Sequence, residues 1–237
     1  MCLNLGPEIA LKPLAPNPSS ALDVNQRLLD AAEAVFAEKG FDAAGIREIT
    51  SQAGCNVAAI NYHFGNKENL YREVFRRRLR HLRDLRIQAI DRVMNQGDPP
   101  PTLERLCSEF ARVFLEPLVN RQDNRALMNL FCRELHDRHL GRELLLNEII
   151  LPVQDRFGQA LRHLCPRMTR DEAILSVHCF ASQLLHLTHV TELMLNRHDL
   201  GLEDPRVDRA VEHIVRFTVA GMRTFCGDDH PWPAHTC

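Results

Sequence analysis

The sequence predicts an all-α protein of about nine helices, with an N-terminal three-helix helix-turn-helix domain and a larger C-terminal helical domain. Apolar residues recur at helical spacing along most of the chain, and no stretch shows the period-two alternation of half-buried strands. No internal repeat of roughly 20–50 residues is evident. Hydrophobic residues make up 45% of the 237 residues and charged residues 25%, enough for a buried core.

The charge is nearly balanced overall and slightly uneven along the chain. The formal net charge is -2 and the isoelectric point is about 6.6, which argues against a protein that coats nucleic acid through bulk positive charge. From Val24 to Leu85, ten Lys and Arg residues stand against eight Asp and Glu residues, and the remainder is net acidic. This split is compatible with a local DNA-binding surface in the N-terminal part.

The eight cysteines predict reduced thiols. None belongs to a CxxC pair, and several lie on apolar helix faces, where a free cysteine behaves as a small hydrophobic residue. The sequence shows neither a signal peptide nor an apolar run of the roughly 18 residues that a membrane span needs. We therefore expect a cytoplasmic protein without membrane association, with a redox-sensing cysteine pair as the alternative.

Four helices are predicted in the first part of the chain, at about 24–39, 46–53, 56–64 and 67–95. Asp23 is the expected N-cap of the first helix and Gly40 its end, and Asn66 is the expected N-cap of the fourth. Residues 1–22 are proline-rich and are expected to form a flexible arm. Residues 23–70 are assigned to the helix-turn-helix domain.

Five further helical stretches are predicted, at about 102–119, 125–137, 143–164, 169–196 and 206–226. Pro152 lies inside the third and should kink or break it. Helices 169–196 and 206–226 carry more apolar surface than one core-facing stripe requires, so we expect them to pair with the same helices of a second subunit. Residues 71–226 are assigned to a ligand-sensing and dimerisation domain, and 227–237 to a loose tail.

The functional prediction depends on the helix-turn-helix pattern at residues 46–64. Gly54 supplies the backbone freedom of the turn, and Val57, Ile60 and Phe64 are predicted to face inward. The outward face carries small, polar and aromatic side chains, namely Asn56, Ala58, Ala59, Asn61, Tyr62 and His63. This face fits a major groove, because Asn can pair with adenine and an alanine methyl can contact the thymine methyl. Lys67 can bind a phosphate at the start of the next helix. We therefore expect double-stranded DNA as a partner.

Four motifs at fixed spacing resemble the signature of the TetR family of transcriptional regulators. The motifs are Gly40-Phe41, Ile46–Ile49, Ala53–Cys55 and Tyr62–Leu70. The second short helix also resembles that of the subgroup with a CerR-type C-terminal domain. The resemblance implies a homodimeric repressor that an unknown small-molecule effector releases from a palindromic operator, often at efflux or detoxification genes.

Carried onto matching positions, the resemblance implies DNA contacts by Arg47, Ala58, Ala59, Asn61, Tyr62, His63 and Lys67. The chain departs from the family pattern at Ala44 and Gly45, where hydroxyl side chains are usual, so the second helix should lack a side-chain N-cap. Asn61 stands where many members have Tyr, which implies that a different base sequence is recognised.

The effector site is less defined by the sequence. Candidate lining residues are Phe110, Phe114, Phe131, Phe157, Phe180, His178 and His186. Ordinary core packing is the alternative for the aromatic residues. His186, His189 and Glu192 have the spacing of metal ligands on one helix face, so a metal-dependent enzyme is one rival hypothesis. We predict no metal, no cofactor and no enzymatic activity, because no catalytic motif is present. The other rival is a helical interaction module that binds no DNA.

A basic run lies on the predicted helix 67–95. Its members are Arg76, Arg77, Arg78, Arg80, Arg83 and Arg86. The run either contacts DNA phosphates along the helix or forms a solvated helix face. The second interpretation is favoured, because in the TetR family this helix leads away from DNA after its first turn.

Overall fold

The computed structural model describes residues 18–119, 141–195 and 205–227, with side chains for 23–116, 143–187 and 207–227. Within these ranges the chain is all-helical and forms no strand, which confirms the predicted fold class. The helices are α1 (Pro18–Ala43), α2 (Ile46–Gln52), α3 (Val57–Phe64), α4 (Lys67–Asn95), α5 (Leu103–Val119), α6 (Gly141–Leu145), α7 (Leu151–Leu164), α8 (Arg170–Leu195) and α9 (Pro205–Arg223). None of these helices is both long and apolar enough to cross a membrane.

Most helix bounds agree with the sequence prediction. The main difference is at α1, which begins at Pro18, inside the segment predicted to be a flexible arm. Proline suits a first helical turn, where its missing N–H has no helical partner to lose. Gly40 interrupts α1 with φ 76°, a conformation that favours glycine, at the predicted end of the regular helix. The helix predicted at 125–137 lies outside the described residues.

Pro152 interrupts the regular α-helix, in line with the expectation of a kink or break, but it does not end the helical structure. The chain stays helical from Gly141 to Leu164, because a π-helical segment, Leu146–Ile150, joins α6 to α7 immediately before the proline. A proline ring clashes with the carbonyl four residues earlier and offers no N–H for an α-helical bond. The wider π turn precedes the proline at the position where a regular α-helix would meet that clash.

An aromatic cluster fixes α1 on α4 in the N-terminal unit, which we call the head (α1–α3 and the first two turns of α4). The rings of Phe36 and Phe41 each lie with their centroid 5.0 Å from that of Tyr71. Ile49 of α2 and Ile60 of α3 are fully buried below them. Apolar residues from all four helices therefore share one core, which sets the orientation of α3.

The remainder of α4 and helices α5–α9, which we call the body, pack around a second aromatic cluster. Phe110 of α5, Phe157 of α7 and Phe180 of α8 are buried, and the Phe110 and Phe157 ring centroids are 4.7 Å apart. Ion pairs add links between these helices, including Arg156 of α7 with Asp91 of α4 at 2.5 Å. Since α4 contributes to both units, it connects the head to the body directly.

Five of the six arginines of the run on α4 form ion pairs and only Arg80 is exposed, so a solvated face describes the run only in part. Arg77 and Arg78 contact Glu33 of α1 in the head. On another side of α4, three arginines surround Glu148 of the π-helical segment in the body. These contacts are Arg80 Nε to Oε2 at 2.9 Å, Arg76 Nε to Oε1 at 3.2 Å and Arg83 Nη1 to Oε2 at 3.8 Å.

The expectation of reduced thiols is wrong for one cysteine pair. Cys165, which follows α7, and Cys226, which follows α9, form a disulfide with their Cα atoms 4.4 Å apart. The two residues are 61 positions apart, so no local spacing could indicate the pair. Cys107 in α5 is a free thiol, and burial raises its pKa to about 12, which makes it unreactive at neutral pH.

Candidate nucleic-acid interface

A tight turn between α2 and α3 creates the candidate reading surface. Gly54 has φ 63°, a left-handed conformation in which a side chain would be strained. The backbone N–H groups of Gly54 and Cys55 donate to the carbonyl oxygens of Ser51 and Thr50 at 3.2 and 3.0 Å. These bonds satisfy backbone carbonyl groups at the end of α2. The chain then enters α3 directly, as the sequence predicts.

Helix α3 places its predicted reading face toward solvent. Ile60 is fully buried, while Ala58 and Asn61 are exposed and Tyr62 is 77% exposed. The inward assignment of Val57 is wrong, because this first residue of α3 is 42% exposed. Its position before the first complete turn leaves it beyond the edge of the head core.

Three further residues of the predicted face are either half-buried or already hydrogen-bonded within α3. Ala59 and His63 are half-buried, and the His63 ring packs edge-on against that of Tyr62 with 5.0 Å between centroids. Asn56 is exposed, but its Oδ1 accepts a hydrogen bond from the backbone N–H of Ala59 at 3.1 Å. Asn56 is thus the N-cap of α3, and its side-chain NH₂ is the group left to face a ligand.

Two of the predicted DNA contacts lie on the helices that flank α3. Lys67 begins α4, and its Nζ donates to the carbonyl oxygen of Asp42 at 3.3 Å and lies 4.7 Å from the Phe41 ring centroid. Arg47 on α2 is exposed and makes no ion pair or side-chain hydrogen bond with any described residue. Gly45 caps α2 without a side-chain bond, as predicted from the missing hydroxyl.

The candidate effector residues fall into two groups. Phe110, Phe114, Phe157 and Phe180 are brought together in the body core, where Phe110 lies within 6 Å of the other three ring centroids. His178 and His186 lie on an exposed face of α8, and His178 Nε2 is 2.6 Å from Oε1 of the buried Gln154. The aromatic residues and these histidines therefore do not share one lining. Phe131 lies outside the described residues.

Two family models match the chain, one over the helix-turn-helix and one over most of the body. The model described as bacterial regulatory proteins of the tetR family matches residues 28–74, which contain α2, α3 and the turn. The model described as a tetracyclin repressor-like C-terminal domain matches residues 110–221. The chain belongs to the TetR family. The resemblance seen in the sequence is confirmed, and the CerR-type subgroup stays a prediction.

Similar curated proteins are also helix-turn-helix transcriptional regulators. AcrR of Shigella flexneri is 25% identical over 146 residues, which are 60% of this chain and 65% of AcrR. The dual regulator CecR of the same organism is 48% identical over 58 residues, which are 23% of this chain and 26% of CecR. The chain thus spans less than two thirds of the length of either relative.

Solved structures with a similar fold cover most of the chain. A TetR-family regulator of Mesorhizobium loti superposes with a TM-score of 0.65 at 18% identity, over 86% of this chain and 96% of its own. SmeT, the repressor of the Stenotrophomonas maltophilia multidrug efflux pump SmeDEF, has a TM-score of 0.58 at 21% identity, over 84% and 91%. At these identities the likeness establishes the fold.

The rival enzyme hypothesis does not survive membership of the TetR family, whose members are DNA-binding transcription regulators. Among the described residues, no group of three His, Cys, Asp or Glu side chains is placed to hold a metal ion. The side chains of His189 and Glu192 lie outside the described part of α8, so the histidine cluster at His186 stays a prediction.

Sequence reasoning missed the role of Glu148 in this TetR-family protein. Arg76, Arg80 and Arg83 follow the i, i+4, i+7 pattern of one helix face, and that spacing is a signal for a shared acidic partner. The hydrogen bond from Arg80, with the charges of Arg76 and Arg83, holds the pKa of Glu148 below its ordinary value of 4.5. The cluster links α4 to the π-helical segment.

Proposed function

We propose that this TetR-family protein is a cytoplasmic homodimeric repressor that binds a palindromic operator and is released by a small-molecule effector. The observation that carries the proposal is the outward orientation of α3, where Asn61 and Tyr62 are exposed while Ile60 is fully buried. A helix held in this way can enter a major groove while the apolar core of the head stays packed.

The proposed DNA contacts divide by chemistry. Ala58 and Asn61 would read base edges, since a methyl and an amide are the groups that distinguish an A·T pair in the major groove. Arg47, Tyr62 and His63 would contact phosphates, which fix the position of the helix without reading sequence. Ala59, Asn56 and Lys67 are proposed as further contacts, although the last two are partly engaged inside the head.

The homodimer would form through α8 and α9. Leu175 on α8 is 62% exposed and Phe217 on α9 is 67% exposed, and apolar surface of this kind favours a second copy with the same patch. In a symmetric dimer the two α3 helices must meet major grooves about 34–36 Å apart. An operator with two inverted half-sites then follows from the two-fold axis.

The effector would bind in the body and act through α4. It can release DNA only by binding more tightly to the state whose heads are wrongly spaced. Phe110, Phe114, Phe157 and Phe180, with Phe131, are retained as proposed lining residues, whereas His178 and His186 lie on an exposed face of α8 and would not share that lining. Efflux or detoxification genes are the proposed targets, in keeping with the efflux-pump repressor SmeT among the proteins of similar fold.

The test is operator binding by the intact protein, measured by mobility shift and footprinting on the region upstream of its own gene. We expect a protected site with inverted half-sites, and Asn61→Ala should weaken binding by about tenfold or more through loss of a two-bond base contact. Asn95→Ala, an exposed asparagine at the end of α4, is the matched control and should bind normally. No shift of any DNA at low salt would favour the helical interaction module.

A dual regulator is a second candidate, favoured by the 48% identity with CecR over 58 residues. A reporter assay with the mapped operator separates the two functions. Repression alone predicts that deleting the gene raises transcription from every bound promoter. Dual regulation predicts that transcription falls from at least one of them.

A further inference from the structure

Arg86 on α4 differs from every other arginine of the run. Arg76, Arg77, Arg78, Arg80 and Arg83 each contact a carboxylate. Arg86 makes no ion pair or side-chain hydrogen bond with any described residue, and its Nε is buried although the residue as a whole is half-buried. Its Cζ instead lies 4.1 Å from the centroid of the Phe114 ring.

The charge of Arg86 is uncompensated among the described residues. Burial lowers the pKa of its guanidinium to about 10, so the side chain is still protonated at neutral pH. The face of Phe114 attracts the cation, but a ring cannot accept the set of N–H donors that a guanidinium carries. A buried donor without an acceptor is destabilising, and such groups are rare in folded proteins unless a partner binds there.

Neighbouring carboxylates are already occupied. On the same helix, Asp84 is bound by Arg83, and Asp91 is bound by Arg156 of α7 at 2.5 Å. Glu148 of the π-helical segment forms ion pairs with other arginines of α4. The described contact of Arg86 is with the Phe114 ring, whose centroid lies 5.7 Å from that of Phe110.

We propose that Arg86 binds the anionic group of the effector, and that Phe114 and Phe110 pack against its apolar part. The effector class is therefore an organic carboxylate with an alkyl or aryl body, since a guanidinium pairs with a carboxylate through two parallel hydrogen bonds. This inference rests on the proposed function in that the ligand is taken to be the one that controls DNA binding. It assigns a charge and a contact residue that the family resemblance does not supply.

The experiment compares carboxylates with their uncharged amides by calorimetric titration of the DNA-free protein. The probes are decanoate with decanamide and 4-phenylbutyrate with 4-phenylbutyramide. We expect at least one carboxylate to bind, with its amide about tenfold weaker or more. Arg86→Met should remove this preference, while Arg92→Met, an exposed arginine on the same helix, should keep it. Absence of carboxylate binding, or equal binding by Arg86→Met, would overturn the proposal.

Thermal unfolding tests the same inference without a ligand. Because methionine has a similar length and no charge, Arg86→Met should melt at or above the temperature of the unsubstituted protein. A fall of many degrees would mean that a carboxylate of the chain already pairs with Arg86, and the proposal would be wrong. Failure of the unsubstituted protein to bind operator would instead contradict the proposed function, whatever the titrations give.

Discussion

Arg77 of α4 and Glu33 of α1 form an ion pair with 2.5 Å between Nη2 and Oε2. Arg78 contacts the other oxygen of the same carboxylate, and Arg77 also reaches Asp30 at 2.7 Å. Two adjacent arginines therefore hold α1 against α4. Because Arg80 on the same helix binds Glu148, ion pairs join α4 both to α1 of the head and to the π-helical segment of the body.

The head pair should contribute measurably to stability. Glu33→Gln should lower the free energy of unfolding by roughly 1–2 kcal/mol, because it leaves two partly buried guanidinium groups without their shared charge. Equilibrium urea unfolding measures the change. Glu38→Gln, an exposed glutamate on the same helix, is the control and should have little effect. Equal losses in the two variants would show that the pair contributes nothing specific.

The Glu148 cluster predicts a pH dependence of stability. The folded-state pKa of Glu148 is lowered below 4.5, so its stabilisation is fully present above that pH and is lost as the pH falls through the folded pKa. The stability difference between unsubstituted protein and Glu148→Gln should therefore shrink below about pH 4.5. Unfolding curves at stepped pH measure it, with the exposed Glu143→Gln as control. A difference that stayed constant to low pH would contradict the assignment.

The aromatic cluster of the body should behave as packed core in the absence of ligand. Phe157 is fully buried against Phe110 and Phe180, so Phe157→Ala should cost about 3–5 kcal/mol of unfolding free energy. Tyr62→Ala removes an aromatic ring that is 77% exposed and should cost far less. A loss near that of Tyr62→Ala would mean that Phe157 borders open space.

The disulfide should stabilise the body under oxidising conditions. It closes a separation of 61 residues, so Cys226→Ser should lower the free energy of unfolding by about 2–4 kcal/mol. Adding a reductant should lower the free energy of unfolding of the unsubstituted protein toward that of the variant. Cys179→Ser, which removes an exposed free thiol, should change neither measurement. Eight free thiols in the denatured, non-reduced protein would show that the bond is absent.

The apolar patch on α9 predicts the oligomeric state. Phe217→Asp should shift the protein from dimer to monomer, because it introduces a charge where a second copy would bury the ring. Analytical ultracentrifugation measures the mass, and Gln159→Glu on the exposed surface of α7 is the charge control. A dimer that survived Phe217→Asp would mean that the interface lies elsewhere.

Local sequence predicted most of the helices and the reading face. Asn66 was expected to cap α4, and its Oδ1 accepts from the backbone N–H of Asn69 at 2.7 Å. Ile60 was expected inside and is fully buried. Val57 was misassigned because a helical pattern treats every turn alike, whereas the first residue of a short helix extends past the core it packs on.

Sequence alone determined the approximate bounds of most helices of the described chain, that a glycine turn separates α2 from α3, and that Asn61 points outward. These features depend on capping groups, backbone conformation and apolar spacing within a few residues. Only the tertiary structure decided that Glu148 gathers three arginines, that Cys165 meets Cys226, and that Arg86 lies against Phe114. Such contacts join residues far apart along the chain, and their energies depend on helix packing and burial that no local pattern encodes.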